Sequence, residues 1–211
     1  MIYFIHLPRT GGTFLSQYTR NKQTRLRKQF NYWPNEYAAK KHVPANTIPN
    51  YKDHFLFGLI RNPFDWYVSQ YSYFIDKDIK GIKEIEDTIA INTDAGLIGK
   101  EFQKRFPNFN QWIEFGLTCT PNFWLSNLHD YMFCENGKMI MNYVGKFENM
   151  SDELEYVLKL NSLKSRVPLK DFWGYRNESR RKDYHEYFNE KSIRIITEKD
   201  RNILNLYGYT Y

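Results

Sequence analysis

The most constraining feature of this sequence is a short apolar run that leads directly into a loop with two adjacent glycines, within residues 4–16 (FIHLPRTGGTFLS). Residues 2–6 have the composition of a buried strand, and an amphipathic stretch runs from Phe14 to about Asn21. A strand, a glycine-containing loop and a helix in this order are typical of an α/β sheet that binds phosphate. The start of the chain therefore predicts an anion-binding turn.

The residue types in this loop suit an anion. Gly11 and Gly12 let the backbone approach a ligand closely, and the following helix would point its first N–H groups at it. Thr10 and Thr13 add hydroxyl donors, and Arg9 adds a positive charge with a planar set of donors. The predicted binding residues are Arg9, Thr10, Gly11, Gly12, Thr13 and Phe14. Taken alone, the same residues would also fit an ordinary tight turn.

A second candidate loop lies in residues 59–74 (LIRNPFDWYVSQYSYF). Residues 55–60 are a second apolar run, and Arg61 stands where that strand would stop. Asn62 and Pro63 suit the cap and the first position of a helix. Ser69 falls about two turns into that helix, so Arg61 and Ser69 could reach one phosphate from adjacent elements. Taken alone, Arg61 would equally be a solvated residue at a helix start.

The rest of the chain fits the same architecture. Residues 138–147 predict a hairpin-like pair or a single strand, residues 151–160 predict a helix with a capping-type start at Ser151, and the end of the chain is helical. The sequence contains no repeat or low-complexity linker that would divide it. We predict an α/β fold, a single P-loop-like domain over residues 1–211, with a central, mainly parallel sheet flanked by helices.

A nucleotide kinase or NTPase of related fold is one alternative. Its motif, G-x-x-x-x-G-K-[ST], places a lysine and a hydroxyl after the second glycine. Here no glycine precedes Gly11, and Gly12 is followed by Thr13 rather than by lysine. Magnesium-dependent ATP binding would support this alternative.

Together the two loops resemble the sulfotransferase family, in the branch with P-K-T-G-G-T loops; the matching segments are IHLPRTGGT and LIRNPFDWYVS. The resemblance implies that the first loop binds the 5′-phosphosulfate and the second the 3′-phosphate of 3′-phosphoadenosine 5′-phosphosulfate (PAPS). The product would be 3′-phosphoadenosine 5′-phosphate (PAP). A C-terminal basic run resembles the loop that closes over the nucleotide in this branch, and its candidates are Arg180, Arg181 and Lys182.

The resemblance implies transfer of a sulfuryl group to an acceptor hydroxyl or amine, with carbohydrate among the acceptors of this branch. Arg9 stands where the family usually has lysine, so this residue would act by charge or another group would supply a proton. His42, in KKHVPANTI, resembles an H-x-P segment on the acceptor side and is the predicted general base, since imidazole titrates near neutral pH. Glu36 and Asp65 are alternative bases. No metal is predicted.

The amino-acid composition restricts the possible binding partners and the cellular compartment only in part. The formal charge of +6 favours an anionic ligand, nucleic acid or an anionic membrane surface without choosing among them. Two cysteines, Cys119 and Cys134, form neither a disulfide framework nor a zinc motif and suit a reducing compartment. With no leader-like segment and no membrane span expected, the chain is predicted to be cytoplasmic. The predicted partners are a nucleotide donor and an acceptor, with no nucleic acid; a catalytically degenerate PAPS-binding protein remains an alternative.

Overall fold

A four-stranded parallel sheet carries both candidate loops. The computed structural model describes residues 1–33, 42–76, 103–117, 123–172 and 181–211. The sheet has the order β2-β1-β3-β6, and each neighbouring pair is parallel. A separate antiparallel pair is formed by β4 and β5. The strands are β1 (Ile2–Ile5), β2 (Phe30–Trp33), β3 (Phe55–Ile60), β4 (Cys134–Glu135), β5 (Lys138–Met139) and β6 (Tyr143–Lys146).

Helices follow the strands along the chain. In the described residues the α-helices are α1 (Gly12–Arg20), α2 (Pro63–Asp76), α3 (Phe109–Gln111, continued by a π-helical turn, Trp112–Gly116), α4 (Leu125–Phe133), α5 (Met150–Leu160), α6 (Glu190–Lys199) and α7 (Arg201–Tyr207). Short 3₁₀ turns connect several of them, including Ala45–Thr47 and Phe147–Asn149. Among the helices in these ranges, none is both long and apolar enough to cross a membrane.

The core explains why β1 and β3 are the central strands. Both consist almost wholly of apolar residues, as expected for strands that are covered on both faces. On one face, side chains of α1 and α5 pack against Phe4 and Phe57 in a continuous buried cluster. On the other face, the ring of Phe133 fills the place where a side chain at Gly58 would lie, since a Cβ there would stand 2.7 Å from Phe133 Cζ. The predicted α/β fold, with a parallel sheet flanked by helices, is thereby confirmed.

The chain divides into two compact units. The first contains residues 1–61 and 129–177, and therefore the whole parallel sheet; the second contains residues 62–128 and 178–211. In the second unit, a buried polar network joins the helices: Tyr67 and Ser126 both donate hydrogen bonds to Asp200, from hydroxyl oxygens 2.6 and 2.8 Å away. The single-domain organisation stays a prediction.

Several local predictions are confirmed and others are wrong. The Asn62 side chain accepts a hydrogen bond from the Phe64 amide at 3.1 Å, as expected of a cap. Helix α1 begins at Gly12, earlier than predicted, because its first turn grows directly out of the glycine loop. The capping start assigned to Ser151 is wrong, since α5 begins at Met150 with Asn149 before it. Residues 138–147 contain two strands that belong to different sheets, and β2 was not predicted.

Candidate active site

The candidate site lies at the carboxyl edge of the sheet. Strands β1 and β3 are parallel neighbours, with Ile5 opposite Gly58, so the loop after β1 and the residue after β3 leave the sheet at the same edge. Strand β2 pairs with one side of β1 and strand β3 with the other, so the strand order reverses at β1. In open α/β sheets, ligands bind at such a reversal of strand order, outside the carboxyl ends of the strands. The topology therefore brings both candidate loops to a binding position.

The loop after β1 has a backbone shape suited to an anion. Arg9 and Gly11 both have left-handed conformations, with φ of 63° and 76°. Left-handed residues alternating with others turn successive N–H groups toward one concave side, which is a common anion-binding arrangement. A left-handed arginine is uncommon, and the sequence offered no sign of it. The Thr10 hydroxyl donates to the Leu7 carbonyl at 2.7 Å and thus closes the turn from inside.

The two glycines are required for different reasons. A Cβ on Gly12 would lie 2.2 Å from the His6 ring, a distance that no real side chain tolerates. Gly11 has a left-handed φ, and a Cβ there would stand 3.0 Å from both Met150 Sδ and Phe147 Cε2. The loop is therefore pressed against His6 on one side and against the start of α5 on the other. Larger residues at these positions would force the loop to move.

Helix α1 presents its N-terminus to this loop. Its first turn (GTFL) contains no acidic residue, and within the described part of the chain no side chain caps it. The first N–H groups of any helix lack partners inside the helix and carry partial positive charge. Thr13 is exposed at this end, whereas the Phe14 ring is 6% exposed and packs against Phe172 with ring centroids 5.6 Å apart. Phe14 thus contributes its side chain to the core.

Arg61 links the ends of three strands. Its Nη1 donates to the Arg9 carbonyl at 3.1 Å, and its guanidinium lies 4.6 Å from the centre of the Phe147 ring, directly after β6. The side chain is 9% exposed. A buried guanidinium here holds the left-handed residue of the loop in place and adds a fixed positive charge beneath it. The sequence predicted Arg61 as a phosphate ligand and missed this bond to the first loop.

The end of β6 is anchored by a carboxylate that the sequence did not single out. Glu153 Oε1 accepts a hydrogen bond from the Lys146 amide at 3.0 Å, and its other oxygen contacts the Tyr143 hydroxyl. Burial, together with this carboxylate, raises the pKa of Tyr143 to about 12. These bonds fix the point at which Phe147 leaves the sheet. They therefore help to position the ring under Arg61.

His42 lies beside the loop with a defined ring orientation. Its Nδ1 is 2.9 Å from the His6 carbonyl, and the two imidazole centres are 4.5 Å apart. Because a carbonyl oxygen can only accept, Nδ1 must carry the proton, and the basic lone pair of the neutral ring is then on Nε2. The predicted base is thus brought next to the predicted anion loop in the tautomer that a base needs.

The remaining predicted ligands belong to the second unit. Ser69 is in α2 and is 1% exposed. Arg181 forms an ion pair with Asp65, the alternative base, and both side chains are largely buried. Lys182 is exposed and pairs with Glu186 at 3.1 Å. Arg180 and Glu36 lie outside the described residues, and the roles of all six residues in binding or catalysis stay predictions.

One group of possible metal ligands occurs in the described residues. Atoms of His129, Asp130 and Cys134, at the end of α4, lie within 4.8 Å of one another. None of these residues belongs to the loops described above. The absence of a metal from the reaction stays a prediction.

Comparison with known proteins identifies one family. A family model described as "Sulfotransferase family" matches residues 5–210, which is almost the whole chain. No curated protein and no solved structure was found to match this chain.

Proposed function

This chain belongs to the sulfotransferase family, and we propose that it transfers a sulfuryl group from PAPS to a hydroxyl or amine, with a carbohydrate as the first candidate acceptor. The observation that carries the proposal is the loop at residues 9–12: two left-handed residues, a helix N-terminus and a buried arginine meet at the carboxyl edge of the sheet. Each of these features favours negative charge. A cytoplasmic location remains part of the proposal.

The residues present fit a phosphosulfate group. Gly11 has a left-handed φ, and neither Gly11 nor Gly12 has a side chain that would keep an anion away from the backbone N–H groups. The N–H groups of the loop and of the first turn of α1 would hold the 5′-phosphosulfate, with Arg9 balancing its charge. Arg61 supports the loop through its hydrogen bond to the Arg9 carbonyl. The proposed contacts to the rest of the nucleotide come from Ser69 and from the basic residues Arg180, Arg181 and Lys182.

The proposed reaction is an in-line displacement at sulfur. The acceptor oxygen or nitrogen forms a bond to sulfur as the bond between sulfur and the bridging phosphate oxygen breaks, and the electron pair of that bond stays on the phosphate. The acceptor proton passes to His42 Nε2, the atom that carries the lone pair when Nδ1 donates to the His6 carbonyl. Arg9 stabilises the charge that develops on the leaving oxygen.

The first test is thermal unfolding with PAP or with ATP and Mg²⁺. A ligand present at 100 times its dissociation constant stabilises a protein by about 2.7 kcal/mol. For a chain of this size that corresponds to a rise in Tm of roughly 5–10 °C. We expect this rise with PAP. A rise with ATP and Mg²⁺ but none with PAP would replace this proposal by the kinase alternative.

A matched pair of variants locates the site. Arg9→Asn removes the charge at the loop, and asparagine tolerates the left-handed backbone. Arg25→Asn makes the same change at an exposed arginine with nearly the same φ, 62° instead of 63°. We expect the PAP-induced rise in Tm to shrink in Arg9→Asn and to persist in Arg25→Asn. Equal effects of the two substitutions would place the nucleotide elsewhere.

The role of His42 is tested by separating binding from turnover. We expect His42→Ala to abolish sulfuryl transfer and to leave PAP affinity intact. His42→Asn is the sharper variant, because its amide can still donate to the His6 carbonyl although it cannot accept the proton. Near-normal turnover in His42→Asn would remove His42 from the mechanism. PAP binding without any turnover in the wild type would favour the degenerate binding protein.

A further inference from the structure

A cationic surface at the opposite edge of the sheet is not used by the proposed reaction. It is formed by two segments, residues 20–29 (RNKQTRLRKQ) and 161–170 (NSLKSRVPLK), neither of which contains a carboxylate. The exposed cations that share these segments are Arg20, Lys22, Arg25, Arg27, Lys28, Lys164, Arg166 and Lys170. We call these two segments the amino-edge surface.

The topology places both segments together and away from the candidate site. Helix α1 starts at the carboxyl edge and runs back, and the Ile2 amide at the start of β1 donates to the Gln29 carbonyl at 2.9 Å. Helix α5 follows β6 and likewise runs back toward the amino ends of the strands. The segment after α5, residues 161–170, contacts residues 20–29, because the Arg166 amide donates to the Thr24 carbonyl at 3.4 Å. Since α1 has 9 residues, about 13 Å of helix separates this surface from the loop.

The charge of the chain is concentrated on this surface. Its eight cations exceed the formal net charge of +6, so the rest of the sequence is net negative. Two acids lie near this surface: Asp171 directly follows the second segment, and the charge of Glu155 acts on Tyr18, whose hydroxyl donates to the Val167 carbonyl. Eight cations against these two acids leave the local charge positive. A donor bound at the carboxyl edge does not reach these residues. They therefore indicate a second, extended polyanion.

Neighbouring apolar side chains indicate which polyanion fits. Leu160, immediately before the second segment, is 52% exposed, and Tyr156 one turn earlier is 48% exposed. Residues four apart share a helix face, so an apolar stripe leads into the cations. The two segments themselves contain no aromatic residue, and an exposed leucine adds nothing to nucleobase stacking, so Leu160 is the residue that favours lipid over nucleic acid. Exposed leucine and tyrosine beside lysines and arginines are typical of a protein that lies on an anionic lipid surface.

We infer that the amino-edge surface docks the protein on a membrane rich in anionic lipid headgroups. This arrangement directs the carboxyl edge of the sheet, with its anion loop, away from the bilayer. The acceptor would then come from the aqueous side and would not be a headgroup of the same membrane. The inference does not depend on the donor or the acceptor of the proposed reaction.

Co-sedimentation with vesicles tests it directly. Vesicles of phosphatidylcholine with phosphatidylserine are compared with vesicles of phosphatidylcholine alone. Each basic residue near such a surface contributes about 1 kcal/mol, so the combined Lys22→Ser, Arg27→Ser and Lys28→Ser substitutions should weaken binding about a hundredfold. The matched control, Arg194→Ser with Lys199→Ser and Arg201→Ser, removes three exposed cations from the second unit and should bind as the wild type does.

Two further arms decide between partners. Lys164→Ser with Arg166→Ser and Lys170→Ser repeats the charge test on the other segment, in case the first variant folds poorly. Leu160→Ser should weaken vesicle binding roughly tenfold and leave binding to a DNA duplex unchanged. The inference is overturned if phosphatidylserine vesicles do not bind, if the control loses as much affinity as the test variants, or if DNA binds more tightly than vesicles.

Discussion

Substitution of Gly12 by alanine tests the packing of the candidate loop most directly. Position 12 is the first residue of α1, and alanine is favoured over glycine in a helix by up to about 1 kcal/mol. Against this gain stands the position that the new Cβ would take, 2.2 Å from the His6 ring, where ordinary contacts are 3.4 Å or longer. Overpacking of this kind costs about 1–3 kcal/mol. We therefore expect a net loss of stability, although propensity alone predicts a gain.

The assay is urea and thermal unfolding of Gly12→Ala, His6→Ala and the double variant. Each 1 kcal/mol corresponds to about 2–4 °C in Tm for a chain of this size. His6→Ala removes the obstructing ring but keeps the carbonyl to which His42 donates, so the double variant should lose less stability than the two single losses combined. Thr13→Ala, at the next and exposed position, should change stability by less than about 0.5 kcal/mol. Additive losses, or a Gly12→Ala protein at least as stable as the wild type, would refute the reasoning.

Two further predictions concern the second unit. Burial raises the pKa of Asp200 and the hydrogen bond from Tyr67 lowers it, so Tyr67→Phe should raise that pKa further; the substitution also removes the acceptor for the Leu125 amide. When folding raises the pKa of a carboxyl group, stability is lost as the pH rises from the pKa of the unfolded state to that of the folded state. The loss of about 2–4 kcal/mol in Tyr67→Phe should therefore be larger near pH 7 than near pH 4, as measured by urea unfolding at both pH values. We expect Arg181→Ala to lower the affinity for PAP, measured by calorimetry, because the proposal places Arg181 in contact with the nucleotide. Asp65→Asn releases Arg181 from its ion pair and should maintain or raise the affinity for PAP. Equal losses of affinity in the two variants would give Arg181 a purely structural role.

Signals that depend on residues close together in the sequence were sufficient to predict much of this protein. The glycine pair after an apolar run predicted the turn between β1 and α1, and Asn62 followed by Pro63 predicted the start of α2. Both signals act within one turn of the chain, where capping and backbone freedom are set by the residue itself. Strand β2 has no such local signal. Its four residues, Phe30–Trp33, follow a basic segment, and they form a strand because they pair with β1.

The finer geometry of the site could not be predicted, since it depends on contacts between distant residues. Arg61 donates to a carbonyl 52 residues earlier in the chain, and Glu153 anchors the end of a strand that no motif marks. The left-handed conformation of Arg9 is equally invisible in the sequence, because arginine rarely adopts it and only the surrounding structure can impose it. Residue types therefore identified the loop, whereas its shape required the fold.

The arginine at position 9 is compatible with the proposed reaction for a chemical reason. A guanidinium has a pKa above about 12 and cannot serve as a proton donor at neutral pH. The group that leaves sulfur, however, is a phosphate oxygen, and a phosphate monoester has a second pKa near 6, so it departs as an anion without being protonated. What residue 9 must supply is positive charge, and arginine supplies it over a wider pH range than lysine does. The only proton that must move comes from the acceptor, and our proposal assigns it to His42, which the His6 carbonyl holds with its lone pair on Nε2.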